Sequence, residues 1–167
     1  MSTPEKNSHE GRSPARLGAL QALYQLEITG ATPQDVISEF IEHRFGRELG
    51  ETGGALVQDR EFFADVVNGV LKFQTEIDRS IARALASGWT LARIDSILRA
   101  LMRAAAYELI GRRDIPAKVV IDEYVELSRD FFDGEEPSFV NAVLDRMARE
   151  IRTAEFGLPI PAGTLEV

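Results

Sequence analysis

Three phenylalanines are gathered around one acidic turn in the last third of the chain. Phe131 and Phe132 end one apolar-periodic segment, the turn 133–136 follows, and Phe139 lies early in the next segment. A helix pair needs apolar residues along the stripe that faces its partner, but it does not need aromatic rings where the helices meet solvent. Aromatic faces at a surface stack on nucleic-acid bases or on side chains of a partner. The placement therefore predicts a binding surface.

Residue combinations that support catalysis are scarce. His9 lies in a polar stretch and His43 on a polar helix face, and both are expected to be solvated side chains. Asp122 and Glu126 are one helical turn apart, but a carboxylate metal site in a bundle also needs Glu-x-x-His partners, which this sequence lacks. The glycines in 50–54 lack the Gly-Lys-Ser/Thr ending of a phosphate-binding loop. We expect neither an enzymatic activity nor a cofactor or metal site.

The composition of the chain limits its structural class and the kinds of partner it can bind. The chain has 167 residues, of which 44% are apolar and 28% charged, as is typical of one globular domain. It has no cysteine, no apolar leader and no run long enough to span a membrane, which together fit a cytoplasmic protein. The formal net charge is −8, and non-specific nucleic-acid binding depends mainly on Lys and Arg. Any RNA binding must therefore use a local patch or a basic partner.

Apolar spacing predicts an all-α fold of about seven helices. The polar segment 1–14 is expected to be a disordered arm, residues 15–153 the helical domain, and residues 154–167 a flexible tail. Thr32 and Asp95 are expected to be N-caps, since their side chains accept hydrogen bonds from the first turn of a helix.

The later helix boundaries follow from other signals. The apolar pattern from Phe62 to Leu85 is expected to break between Lys72 and Asp78, which would give two helices. Pro116 and Pro137 are expected to open the last two helices, because proline is tolerated in a first helical turn.

Five segments, in chain order, carry a resemblance to a known family. They are residues 16–24, residues 59–70, residues 101–109 with the triplet Tyr107-Glu108-Leu109, residues 118–127, and residues 139–145. In their order and intervals, over roughly residues 12–151, they resemble the NusB family of bacterial transcription antitermination factors. The resemblance implies two small helical bundles packed together and no catalytic activity.

The resemblance also implies partners and a cellular role. One partner is single-stranded boxA RNA in the leaders of ribosomal RNA operons. Another is NusE, a small-subunit ribosomal protein that forms an RNA-binding heterodimer with NusB-like proteins. Contacts with other antitermination factors and RNA polymerase follow from the same role, which is to support processive ribosomal RNA transcription.

Carried over position by position, the resemblance implies an RNA site of three kinds of residue. Guanidinium groups would meet phosphates, aromatic rings would meet bases, and polar side chains would lie beside the RNA near the last turn. The arginines are Arg12 and Arg16, the rings are Tyr24, Phe131 and Phe139, and the polar residues are Glu135, Ser138 and Asn141.

Structural interpretations stay open for most of these residues. Tyr24 and Phe139 also fit the buried apolar stripe of a helix. Arg12 and Arg16 also fit solvated surface side chains that only increase solubility. Asn141 also fits an amide whose hydrogen bonds are structural. Phe131 and Phe132 are adjacent and cannot easily both face inward, so one is expected at the surface, and the resemblance favours Phe131.

Three departures from the family pattern concern binding. Only Arg12 and Arg16 stand where relatives often have a run of arginines, and Ser138 stands where a lysine is common. Leu98 replaces a frequent acidic residue on the side of the protein partner. We therefore expect weak RNA binding by the chain alone and stronger binding with a basic partner.

Three other interpretations fit parts of the sequence. A helical adaptor could use the surface from Phe131 to Phe139 for a partner helix without touching RNA. A homodimer could cover Tyr24 and these rings. A NusB-like bundle also forms the N-terminal domain of ribosomal RNA cytosine methyltransferases, but this chain has neither a glycine-rich cofactor motif nor a catalytic cysteine.

Overall fold

The structure is a computed structural model that describes residues 4–45 and 55–158, and every regular element in these residues is a helix. None of the described helices is long and apolar enough to cross a membrane. The α-helices are α1 (Pro4–Thr29), α2 (Pro33–Glu39), α3 (Ala55–Lys72), α4 (Gln74–Ala84), α5 (Ser96–Gly111), α6 (Ala117–Phe131) and α7 (Glu136–Ile151). A π-helix (Phe40–Phe45) continues α2, and 3₁₀ turns lie at Leu91–Arg93 and Thr153–Phe156.

The helices form two small bundles that share α5 as a wall. Helices α1, α2 and α3 pack together, as do α4, α5, α6 and α7, and α5 also contacts α1 and α3. Ala104 and Ala105 of α5 are fully buried, and their small side chains let neighbouring helices approach closely. The predicted all-α fold of two packed bundles is confirmed.

Several helix boundaries lie where N-cap residues and apolar spacing predicted them. Thr32 accepts a hydrogen bond from the backbone N–H of Asp35 at 3.4 Å, and Asp95 accepts one from Ile97 at 2.9 Å, as N-caps do. The chain breaks between α3 and α4 at Phe73, inside the predicted interval. The glycine-rich segment 50–54 lies outside the described residues.

The start of α1 differs from the prediction. Its backbone is helical from Pro4, within the segment for which a disordered arm was predicted, and Pro14 lies inside the helix. Apolar spacing detects only the part of a helix that buries a face, and that part begins at Ala15, which is fully buried. The polar turns before it carry no such stripe, so their helical state left no periodic signal.

The residues after α7 are also more ordered than predicted. Arg152 is 3% exposed and donates hydrogen bonds to the carbonyl oxygens of Leu109 at 2.7 Å and Glu108 at 3.1 Å, which caps the C-terminal end of α5. Glu155 accepts the backbone N–H of Ala117 at 2.8 Å, at the N-terminus of α6. The first part of the predicted flexible tail is therefore packed, and residues 159–167 lie outside the described residues.

Candidate nucleic-acid interface

Arg16 is enclosed in the core instead of lying at the surface. It is 1% exposed, and its guanidinium donates to both carboxylate oxygens of Glu108, at 3.0 Å from Nε to Oε2 and 2.8 Å from Nη2 to Oε1. Burial opposes the charge of Arg16, but the hydrogen bond and charge of Glu108 outweigh it and raise the pKa of the guanidinium above its ordinary value. A phosphate cannot reach this group, so the predicted RNA contact of Arg16 is corrected to an ion pair between α1 and α5.

Tyr124 of α6 completes this buried cluster. Its ring centroid is 5.8 Å from the guanidinium carbon of Arg16, and the residue is fully buried. Burial and the nearby charge of Glu108 raise the pKa of the Tyr124 hydroxyl well above its ordinary value. Residues from α1, α5 and α6 therefore meet in one enclosed polar contact.

The triplet Tyr107-Glu108-Leu109 joins α5 to its neighbours. The hydroxyl of Tyr107 donates to Asp65 of α3 at 2.9 Å, and burial together with this hydrogen bond raises the pKa of Tyr107 to about 12. The Tyr107 ring covers Gly69, where an added Cβ would come within 2.0 Å of the ring. Leu109 is fully buried. The triplet therefore packs α5 against its neighbours, and its Glu108 forms the buried ion pair with Arg16 of α1.

Arg12 lies one turn before Arg16 and remains half-exposed. Its guanidinium carbon is 5.2 Å from the ring centroid of Phe62, and that of Arg112 is 5.1 Å from the same ring. Arg112 pairs with Asp114 at 3.0 Å. Among the side chains that the structure describes, no carboxylate lies within ion-pair distance of Arg12. Its guanidinium therefore remains partly accessible from the surface.

A groove between α6 and α7 contains two of the predicted polar residues. One part has a volume of about 730 Å³ and the other about 430 Å³, and both are lined by Asp122 and Asn141. Ser138 lines the second part, close to Arg129 near the end of α6. Asp114 lines the first part. Since Asp114 pairs with Arg112, the groove continues into the cluster that holds Arg12.

The groove has a mixed charge. Its two parts together are lined by three cationic side chains and five carboxylates. Carboxylates repel phosphate, so this surface by itself is poorly suited to a nucleic-acid backbone. The cations are Arg113, Lys118 and Arg129, and the carboxylates are Asp114, Asp122, Glu126, Asp145 and Glu155.

The turn between α6 and α7 exposes one aromatic ring. Phe131 is 37% exposed, whereas Phe132 packs against the core, which confirms that Phe131 is the outward residue of the two. Glu135 is exposed and occupies the N-cap position of α7, but its side chain makes no capping hydrogen bond. An exposed ring and an exposed carboxylate are thus both presented by the α6–α7 turn.

The two remaining predicted rings are only partly accessible. Phe139 is half-buried, and its ring centroid is 5.9 Å from that of Trp89, with 49° between the ring planes. Tyr24 is half-buried against the core. It lies twelve residues beyond Arg12 on α1, which is about 18 Å along the helix axis at 1.5 Å per residue. Tyr24 therefore lies far along α1 from Arg12, whereas Ser138 and Asn141 share the α6–α7 groove.

Sequence reasoning missed two residues that shape this surface. The apolar pattern places Phe62 only in a core stripe, yet Phe62 supports the guanidinium groups of Arg12 and Arg112. The same pattern places Trp89 only in a connector, yet Trp89 is 53% exposed and covers Phe139. The one signal for Trp89 is the presence of a large aromatic side chain beside a glycine in a polar connector.

Fold and site together define an all-helical binding protein. A groove lies between α6 and α7 with an exposed ring at the turn that joins them, and the described residues contain no cluster of His, Asp and Glu that could hold a metal ion. The NusB family model matches residues 13–149.

Known proteins agree with this match. The transcription antitermination protein NusB of Rhodopseudomonas palustris (strain BisB18) is 52% identical over 145 residues, which cover 87% of this chain and 85% of the relative. NusB of Caulobacter vibrioides is 50% identical over 147 residues, covering 87% and 97%. The chain belongs to the NusB family of transcription antitermination proteins.

Solved structures show the same fold. The structure of T. maritima NusB superposes with a TM-score of 0.73 at 29% identity and covers 95% of this chain and all of that one. A complex of the antitermination factors NusB and NusE with double-stranded RNA contains a chain that superposes with a TM-score of 0.70 at 23% identity, covering 84% and 97%. At that identity, the second likeness concerns the fold alone.

Proposed function

We propose that this chain acts with NusE to bind single-stranded boxA RNA in ribosomal RNA operon leaders and so supports processive ribosomal RNA transcription. In this role it would also contact other antitermination factors and RNA polymerase. Family membership supports the antitermination role, and the solved complex of NusB and NusE with double-stranded RNA supports NusE and RNA as partners.

One observation carries the proposed RNA contact: five of the eight predicted site residues, Arg12, Phe131, Glu135, Ser138 and Asn141, lie in or next to the α6–α7 groove and the adjoining Arg112–Asp114 pair. From Arg12 the surface passes through Arg112 and Asp114 into the α6–α7 groove at Asn141. It then reaches Ser138 and ends at the α6–α7 turn with Glu135 and Phe131. A single strand lying along it would meet a guanidinium at one end and a ring at the other, which are the two groups that single-stranded sites combine.

The charge of this surface supports the need for a second protein. The chain has a net charge of −8, and carboxylates outnumber cations in the groove. Phosphate neutralisation by Lys and Arg supplies a large part of nucleic-acid affinity. We therefore assign base contacts mainly to this chain and most phosphate contacts to the basic partner.

The exposed ring gives a direct test. Phe131→Ala removes a stacking surface, and stacking contributes about 1 to 3 kcal/mol per base, so RNA affinity should fall about 5- to 150-fold. Fluorescence anisotropy of labelled boxA RNA, with NusE at saturating concentration, measures this decrease. Ile28→Ala is the control, because it removes an exposed apolar side chain from the far end of α1 and should leave affinity unchanged.

The binding of NusE is measured on the same variants. Loss of RNA binding by Phe131→Ala with NusE binding kept supports RNA contact. Loss of NusE binding with RNA affinity unchanged would instead support an adaptor that uses this surface for a partner protein, and it would overturn the proposed RNA contact.

A further inference from the structure

Trp89 is a large exposed ring beside the proposed RNA surface. It is the only tryptophan of the chain, it is 53% exposed, and it follows Gly88, whose φ of +93° lets the connector between α4 and α5 turn outward. Its ring packs on Phe139 at a centroid distance of 5.9 Å. Because Trp89 covers Phe139, the more accessible ring at this position is the indole.

Two guanidinium groups are held near the connector that carries the indole. Arg93 donates to the carbonyl oxygen of Gly88, the residue before Trp89, at 3.3 Å, and Arg146 donates to that of Ala84, the last residue of α4, at 2.9 Å, where the connector to Trp89 begins. Both arginines are exposed. Among the described residues, neither has a carboxylate within ion-pair distance, whereas the nearby Arg83 is paired with Glu150.

We propose that Trp89, supported by Phe139 and with Arg93 and Arg146 held near its connector, is a second stacking platform for the same single-stranded RNA. A base stacks on the indole, and its flanking phosphates bind the two guanidinium groups. The inference rests on the proposed RNA-binding function and extends that surface across α7, from the α6–α7 turn to the α4–α5 connector.

Charge favours RNA over a protein as the occupant. The chain has a net charge of −8, yet Arg93 and Arg146, which have no carboxylate within ion-pair distance among the described residues, both lie near the exposed indole. An apolar partner helix would leave their remaining N–H donors without acceptors, whereas phosphates accept several such hydrogen bonds. Indole and guanidinium together are the chemistry with which proteins bind single strands.

Because the chain has a single tryptophan, the intrinsic fluorescence of Trp89 can report RNA binding without a label on this protein. Intrinsic fluorescence is followed while boxA RNA is added to the full chain with a tryptophan-free NusE at saturating concentration. Stacking should quench the indole emission, and Trp89→Ala should weaken RNA binding about 5- to 150-fold by anisotropy. Trp89→Phe keeps a ring and should restore most of the affinity, which a general loss of folding would not allow.

The arginines are tested through salt dependence. On single strands the slope of log affinity against log salt is about 0.7 for each phosphate that the protein neutralises, so the double variant Arg93→Ala with Arg146→Ala should lower it by about 1.4. Lys72→Ala removes an exposed positive charge at the end of α3, away from the platform, and should leave the slope unchanged.

The outcomes separate this inference from the proposed function. If Trp89→Ala binds RNA as the wild type does while Phe131→Ala loses binding, the platform is wrong and the proposed function stands. If Trp89→Ala loses NusE and keeps its RNA affinity, the platform binds a protein and the inference is overturned. If the wild type fails to prefer boxA over scrambled RNA, the proposed function and the inference fail together.

Discussion

At the residue scale, Arg16 shows how burial changes the role of a side chain. Its position near the start of the apolar part of α1 is typical of a surface cation. Its partner Glu108 lies 92 positions away in sequence, and only the packing of α1 on α5 brings the two together. Arg12, one turn earlier, keeps the surface position that the resemblance implied for both arginines.

The buried pair predicts a large effect on stability. Arg16→Met leaves Glu108 as an uncompensated buried charge, so the free energy of unfolding should fall by about 3 to 5 kcal/mol. Urea unfolding followed by circular dichroism measures this change. The double variant Arg16→Met with Glu108→Leu removes both charges and should be destabilised much less than the sum of the single variants.

A different pattern of results would support a direct role of Arg16 in RNA binding. That pattern is an Arg16→Met protein that is as stable as the wild type but binds RNA more weakly. It would mean that the guanidinium leaves Glu108 when RNA binds.

At the element scale, α5 sets the position of the other helices. Tyr107 lies against Gly69 of α3, and residues of both bundles pack on the α5 surface. The residues after α7 connect it to its neighbours, through Arg152 at the end of α5 and Glu155 at the start of α6. The relative positions of α6 and α7, and hence the groove between them, depend on these contacts.

The close approach of α3 and α5 can be tested with one methyl group. In Gly69→Ala the new Cβ would overlap the rigid ring of Tyr107, so the helices must separate, and overpacking of this kind costs about 1 to 3 kcal/mol. Asn68→Ala, at the adjacent exposed position of α3, should change stability by less than about 0.5 kcal/mol. Equal stability of the two variants, measured by urea unfolding, would contradict the geometry.

The contact of Glu155 with α6 predicts a pH dependence. Burial raises the pKa of this carboxyl, but the hydrogen bond from the Ala117 backbone and the charge of Arg152 outweigh it, so the pKa lies below its ordinary value of 4.5. The stabilisation is therefore fully present above pH 4.5 and is lost as the pH falls through the lowered pKa.

Thermal melts across a pH series measure this effect. At pH 7, Glu155→Gln should have a lower Tm than the wild type, and the difference should shrink once the pH falls below about 4.5. Glu150→Gln is the control, since it changes an exposed pair with Arg83 that contributes about 0 to 1 kcal/mol. A Tm difference for Glu155→Gln that stays constant down to about pH 3 would show that the carboxylate charge is not the cause.

Some features of the fold could be predicted from the sequence, and others could not. The caps at Thr32 and Asp95 and the break at Phe73 follow from local signals, and local signals survive folding when packing agrees with them. The helical start at Pro4 left no apolar period to detect. The burial of Arg16 depends on long-range packing that spacing along one helix does not contain.

For the same reason, only some residues of the candidate site could be predicted from the sequence. Phe131 could be placed at the surface because two adjacent aromatic residues cannot both enter one helical stripe. The role of Trp89 could not be predicted, because its contact with Phe139 joins a connector to a helix 50 residues away. Resemblance supplied the positions on α6 and α7, and the structure added which of them are accessible.

At the scale of the whole molecule, charge governs how this chain can bind RNA. Given the net charge of −8, we propose that this chain supplies shape and stacking to the RNA complex while a basic partner supplies most of the positive charge. The groove between α6 and α7 follows this rule locally, with more carboxylates than cations. Arg12, Arg93 and Arg146 have no carboxylate within ion-pair distance among the described residues, and each lies near an aromatic ring or the segment that carries one.

The most direct test measures the binding of boxA RNA by the full chain with and without NusE, against a scrambled RNA of the same composition and over a salt series. We predict weak binding with a shallow salt slope for the chain alone. With NusE we predict a preference for boxA of about tenfold or more, which corresponds to about 1.4 kcal/mol. Tight, steeply salt-dependent binding by the isolated chain, or no preference for boxA in the presence of NusE, would contradict the proposed division of contacts between the two proteins.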